Sequence, residues 1–275
     1  MKILTAIFSL FIIASSDFAM AQVNSGLMVS PTRVIFEGRD RTATIHLINR
    51  SEREETYRIS FKNMKMTEDG KYVDIIEPEN GEKFAGSFIR YSPRQVILES
   101  GASQTVKLLL RKPKNLEDGE YRSHLLLQGM PPKDLGLDIE KENVKSDEIA
   151  IKLIPVFGIS IPVIVKNGEI SSNITIDNAE IIEGDERILS FDFIREGNAS
   201  SYGNVEVVYT DEAGKSHTLS QVNGVSVFYP YLKRKIKVAL TLPEGVELAK
   251  GKLSVSYKEN AENGAIIATK EIILP

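Results

Sequence analysis

Three histidines and no cysteine limit the chemistry open to this chain of 275 residues. His46 and His124 fall in alternating, strand-like runs and His217 lies near a turn. None is paired with another histidine at helical spacing, and no carboxylates stand near them at the separations a metal site uses. Without cysteine there is neither a thiolate nucleophile nor a zinc–thiolate site. No G-x-S-x-G elbow and no glycine-rich phosphate loop is present. Asp69, Asp118 and Asp211 occupy turn sequences, where a carboxylate commonly bonds its own backbone. These residues predict a protein that is not an enzyme and holds no metal and no cofactor. Arg33 stands apart, because it sits in an apolar run (Val29, Val34, Ile35, Phe36) close to Pro31. Two roles fit it. It either reaches solvent or pairs with a glutamate along an apolar surface, or it waits in a cleft for an anionic group, which a permanently charged fork grips with two parallel hydrogen bonds.

The element that would have to be positioned with Arg33 is the run from Glu148 to Lys166, EIAIKLIPVFGISIPVIVK. Ile149, Ile151 and Leu153 alternate with Ala150 and Lys152, the period of a strand with one apolar face. From Ile154 onward both sides are apolar apart from Gly158 and Ser160, which predicts burial on both faces. The stretch reads as a strand that starts at a surface and ends in a core. Its exposed half is either ordinary core edge or a surface kept for pairing, since a long apolar edge strand is a hazard that proteins normally blunt.

Around it, short β-rich runs separated by turn signals at roughly 8 to 12 residues predict an all-β protein. Leu27 to Phe36, Thr42 to Asn49, Tyr57 to Met64, Phe88 to Leu98, Thr105 to Leu110 and Tyr121 to Gln128 precede the organising strand. Lys133 to Asp147 is a polar loop in which Leu135, Leu137 and Ile139 alternate. After Asn167-Gly168 the pattern restarts: Asn173 to Ile176, Ile188 to Ile194, Asn204 to Tyr209, Val225 to Tyr229, Lys235 to Leu242, Lys252 to Tyr257 and Ile266 to Leu274. Asn223-Gly224 is among the predicted turns. Lys2, the apolar run Ile3 to Ala14 and Ala19-Met20-Ala21 fit a cleavable export signal over residues 1–21. That leaves a first domain at 22–166 and a second at 167–275. A formal net charge of −4 with interspersed signs gives no case for nucleic acid as a partner.

Several stretches resemble the periplasmic chaperones of the chaperone–usher pilus pathway, in particular its archaic branch. They are VSPTRVIFEG at 29–38, SPRQVILESGASQTVKLLL at 92–110, GEYRSHLLLQGMPP at 119–132, FGISIPVIV at 157–165, REGNASSYGNVEVVY at 195–209 and the G-x-L-x-V-x-Y from Gly251 to Tyr257. The resemblance implies two immunoglobulin-like β-sandwich domains joined at an angle, a periplasmic location, and pilus or fimbrial subunits and an outer-membrane usher as partners. It also implies donor-strand complementation, in which the chaperone lends a strand to a subunit that lacks its last one. On this chain the lending residues would be Ile149, Ile151 and Leu153, with Arg33 anchoring the subunit's terminal carboxylate. The family's second anchor, a lysine, falls at Gly158, which is not basic; Arg122 and Lys152 are the substitutes at hand. Whether the free protein covers the same strand by self-association is left open by the sequence. The competing reading is a structural or adhesive surface protein built from two immunoglobulin-like domains.

Overall fold

The computed structural model describes residues 26–79, 81–131 and 155–275. The first eleven strands are Leu27–Ser30 (β1), Val34–Phe36 (β2), Thr42–Asn49 (β3), Glu55–Lys62 (β4), Met64–Met66 (β5), Tyr72–Asp74 (β6), Ile89–Ser92 (β7), Gln95–Leu98 (β8), Ser103–Leu110 (β9), Gly119–Gly129 (β10) and Gly158–Asn167 (β11). A sheet in the order β1-β3-β9-β7 faces one in the order β2-β11-β10-β4-β8. Alternation decides which side chains fill the space between them. Ile45 and Leu47 of β3 are fully enclosed while Thr44 and His46 point outward, and Phe36, Val106, Leu125, Leu127 and Val163 complete the layer. Among the described residues the hairpin β5–β6 pairs only with itself and belongs to neither sheet.

Prolines divide two of the predicted strands. Leu27 to Phe36 becomes β1, antiparallel to β3, and β2, parallel to β11, so the chain changes sheets across Pro31 to Arg33. Phe88 to Leu98 divides at Pro93 into β7 and β8, again on opposite sheets. A proline has no N–H to give to a ladder, and the residue before it is held extended, so pairing stops there and the chain is free to cross.

The later strands are Ser172–Ile182 (β12), Ile188–Gly197 (β13), Ser201–Asp211 (β14), Ser216–Val227 (β15), Lys233–Ala239 (β16), Gly251–Glu259 (β17) and Ile266–Leu274 (β18). They form sheets β12-β13-β16 and β15-β14-β17-β18 around a second core that includes Leu189, Phe191, Phe193, Val207, Leu253, Val255 and Tyr257. Asn223-Gly224, predicted as a turn, lies inside β15. The register slips there, Gly203 facing Val225 and Val205 facing Val222, and Gly224 has φ +75°, so the pair is a bulge within one long strand. Both halves are immunoglobulin-like β-sandwiches. Among the described residues the only helical structure is a 3-10 turn at Gly86–Phe88, and no helix is long and apolar enough to cross a membrane.

Between the sandwiches the chain turns at Gly168 (φ +66°), where an added Cβ would stand 1.6 Å from the Asp118 carboxylate. A small third cluster of Met66, Ile164 and Phe228, with Tyr231 against it, joins the two halves.

Candidate functional site

Arginine side chains from separate elements meet where the halves touch. Arg33 reaches its place because the sheet change after Pro31 carries residues 31–33 across the edge of the first sandwich. Its Nη2 donates to Ser226 Oγ at 2.5 Å, and its guanidinium carbon lies 3.8 Å from the Tyr202 ring centroid and 5.3 Å from that of Phe228. Arg122, opposite Ile164 in the β10–β11 ladder, stacks at 4.0 Å on the same Phe228 ring and is 7% exposed. Its hydrogen bonds, to the carbonyls of Tyr229 and Met64, are both long at 3.4 Å. Arg234 of β16 donates to the Ser226 carbonyl, and its Nε has no partner among the described residues. These guanidiniums therefore bond carbonyl and hydroxyl oxygens. Burial is the largest cause lowering the pKa of each, which leaves them charged but poorly solvated. Contacts with Tyr202 and Phe228 offset part of that, at about 1 to 2 kcal/mol for a desolvated cation over a ring.

His124 lies under the same cover. It is 2% exposed, neither ring nitrogen has a partner among the described residues, and Tyr72 meets it edge-on at 5.5 Å. Burial first, then the nearby charges of Arg122 and Arg33, push its pKa down to about 3. The imidazole is neutral and serves as an aromatic wall. Glu120 accepts from the Ser200 N–H at 2.8 Å and from the Ser200 hydroxyl, tying β10 to the loop before β14. Behind the cleft Arg195 is a separate case. Its donors reach the carbonyls of Tyr231 (2.8 Å), Gly197 (2.8 Å), Ala199 (3.0 Å) and Pro230 (3.2 Å), fixing the loop that carries Phe228 and Tyr229.

The expected pairing strand falls partly outside this picture. Ile149, Ile151 and Leu153, with Lys152, lie outside the described residues. Burial on both faces was expected from Ile154, but Val156 and Phe157 are 46% and 45% exposed, and full enclosure begins at Ile161. The reason is coverage. β10 pairs with β11 along its whole length, from Gly158 to Asn167, whereas β2 covers only Val163 to Val165. Among the described residues, Gly158 to Pro162 thus have one edge without a ladder partner. Gly158 is exposed and contributes no charge.

Sequence reading singled out Arg33 and named Arg122 as a substitute. It missed Arg234, Tyr72 and Phe228, whose contribution depends on two distant segments meeting. The run Phe228-Tyr229-Pro230-Tyr231 was the available signal, since a connecting loop has no need of three aromatic residues. Among the described residues no group of histidines and carboxylates is arranged to hold a metal.

No protein-family model matches the chain, and no curated protein matches it. Solved structures do. The chain is similar to the YadV chaperone, with 11% identity, a TM-score of 0.47, and coverage of 90% of this chain and 100% of that one. It is also similar to the CsuC–CsuE complex of chaperone and tip subunit from archaic chaperone–usher Csu pili of Acinetobacter baumannii, with 12% identity, a TM-score of 0.44, and coverage of 90% and 97%. The SafA pilin–SafB chaperone complex of Salmonella enterica gives 15% identity, a TM-score of 0.42, and coverage of 90% and 96%.

Proposed function

We propose that this protein is a non-enzymatic periplasmic chaperone for the subunits of a pilus or fimbria. It holds each subunit by lending it a strand and delivers it to an outer-membrane usher. The observation that carries the reading is the half-covered β11. From Gly158 to Pro162 one edge lacks a ladder partner among the described residues, and this edge continues the segment that holds Ile149, Ile151 and Leu153. The covered end of the same strand runs beside Arg33 and Arg122. An incoming strand would add main-chain hydrogen bonds along that edge. A chain end reaching the arginines would supply the carboxylate that their present oxygen partners do not. The motifs that resemble the chaperone family support the same reading, on which residues 1–21 are a removed signal and the domains span 22–166 and 167–275.

Magnitudes separate the two contacts. Three large aliphatic side chains buried in a subunit groove contribute on the order of 5 to 9 kcal/mol before ordering costs. A charge-assisted hydrogen bond to Arg33 adds about 1.5 to 3 kcal/mol. Affinity then lies mostly in the strand, and the arginine fixes its register, because a slip of one residue turns every plug away from the groove.

The test is a periplasmic pull-down of the wild type beside Ile151→Asp and Arg33→Ala, with mass spectrometry of what copurifies. A small β-rich partner, lost with Ile151→Asp and weakened with Arg33→Ala, is the expected result. An Ile151→Asp variant that unfolds would make the strand ordinary core. No partner in any sample, from cells making fibre subunits, would favour a two-domain structural or adhesive surface protein.

A further inference from the structure

We propose that the hairpin from Met64 to Asp74 is a lid on the interdomain arginines, in equilibrium between a closed position and one that opens Arg122 and Arg33 to solvent. As a gate for a carboxylate it rests on the chaperone reading; as a moving part it does not.

Three observations carry it. The first is isolation. β5 and β6 form three cross-strand pairs, Met64–Asp74, Lys65–Val73 and Met66–Tyr72, and among the described residues share no ladder with either sandwich. Its turn is closed by Thr67 and Lys71 across Gly70, whose φ is +82°. A two-stranded hairpin of this size is marginal in water without a surface to lie on. β6 is exposed along its length, Tyr72 at 46% and Val73 at 43%, so among the described residues no further layer covers it.

The second is what fastens it. Met66 and Tyr72 are directly opposite and so face the same way, into the cleft. Met66 is 1% exposed, packed with Ile164 of the first sandwich and Phe228 of the second, and Tyr72 lies against His124 and Phe228. At the tip, one backbone bond joins the Lys235 N–H to the Glu68 carbonyl at 2.7 Å, and an added Cβ on Gly70 would stand 2.5 Å from Arg234 Nη2. With a long bond from Arg122 to the Met64 carbonyl, a Ser160 hydroxyl at 3.6 Å from Met64 Sδ and the exposed ion pairs Lys62–Asp74 and Lys65–Glu79, these contacts make a fastening that local opening can break while both cores stay packed.

The third is what lies beneath. Among the described residues Arg122 has only long hydrogen bonds, one of them to the hairpin's own Met64 carbonyl, and both nitrogens of His124 and the Nε of Arg234 have no partner. A buried polar group without a partner is unfavourable, more so when charged. Closed, the hairpin gains apolar burial and leaves these donors under-satisfied; open, it loses the burial and lets water or an anion reach them. Opposed terms of this kind narrow the gap between the two positions, so that the open one is a minor population a ligand can draw on.

The test needs no partner protein. Hydrogen exchange on the full chain reads the opening directly. The amides of Thr67, Lys71 and Ile75, all bonded within or at the base of the hairpin, are expected to exchange at least about 100-fold faster than those of Leu125 and Leu127, because they require only local opening. Phenylglyoxal modification followed by mass spectrometry reads the consequence. Tyr72→Ala and, separately, Met66→Ala should speed modification of Arg122 about tenfold, while Arg195, held by carbonyls outside the hairpin, serves as the unchanged control. Hairpin amides that exchange no faster than those of β10 would overturn the proposal. So would an Arg122 rate that neither variant alters. If a variant loosens the whole fold, Arg195 accelerates too, and the wild-type exchange decides.

Discussion

At the scale of single residues, His124 is the group whose charge state the fold restricts most. The folded protein keeps it neutral down to a pKa of about 3, against 6.5 for an exposed histidine. The unfolded chain therefore binds the extra proton throughout that window. Stability is fully present above pH 6.5 and falls as the pH is lowered, by about 1.4 kcal/mol for each unit until the folded-state value is reached. Urea midpoints at pH 7 and pH 4.5 measure it. The wild type should lose about 2 to 3 kcal/mol more than His124→Phe, which keeps the ring and removes the proton site. Equal losses would place the acid sensitivity elsewhere. Nothing in the sequence distinguished His124 from His46, since both alternate on strands. His46 faces solvent and His124 faces a second domain, and that difference arises only when residues about a hundred positions apart come together.

The elements were more legible than the site, because period-two alternation is a local property and packing between halves is not. The burial of Ile45 and Leu47 could be read from TATIHLIN alone, and Pro31 and Pro93 were visible as interruptions. What alternation could not supply was coverage. In FGISIPVIV every residue but glycine, serine and proline is apolar, yet burial depends on which strand lies alongside, and β2 is only three residues long. Two substitutions on this one strand separate pattern from packing. Val163→Ala removes methyl groups from a fully enclosed position and should lower the urea midpoint by the equivalent of about 1 to 2.5 kcal/mol. Phe157→Ser, at a position nearly half exposed, should change it by less than about 0.5 kcal/mol. If Phe157→Ser proves the more damaging, residues before β11 pack against something in the folded protein.

For the whole molecule the question is whether the two sandwiches unfold together. They are joined by the Met66–Ile164–Phe228 cluster and by Glu120, which is 2% exposed and accepts two hydrogen bonds from Ser200. Glu120→Ala leaves both Ser200 donors and the neighbouring guanidiniums without that carboxylate, and truncating one partner of a buried charged contact typically costs about 3 to 5 kcal/mol. Calorimetry should then show one transition in the wild type and two in the variant, the first sandwich and the second melting separately. A single, merely shifted transition would mean that apolar contact alone couples them. Little of this junction was available from the sequence, where Arg122 entered only as a substitute anchor and nothing marked Glu120 or Ser200.

The parallel pairing of β2 with β11 also bears on how the first sandwich is made. Val34 meets Val163, a contact that closes a loop of about 130 residues. A chain emerging from its amino end therefore has its second strand ready long before the strand that completes the sheet exists. Pairings of such high contact order form slowly, so this half spends much of its folding time as an incomplete sandwich, with the place beside β2 vacant. The second sandwich is built from mostly sequential neighbours, β12 with β13, β14 with β15 and β17 with β18, and faces no such wait. The half made first is thus the last to be finished, and its nascent state lacks a strand where the mature protein keeps one half uncovered.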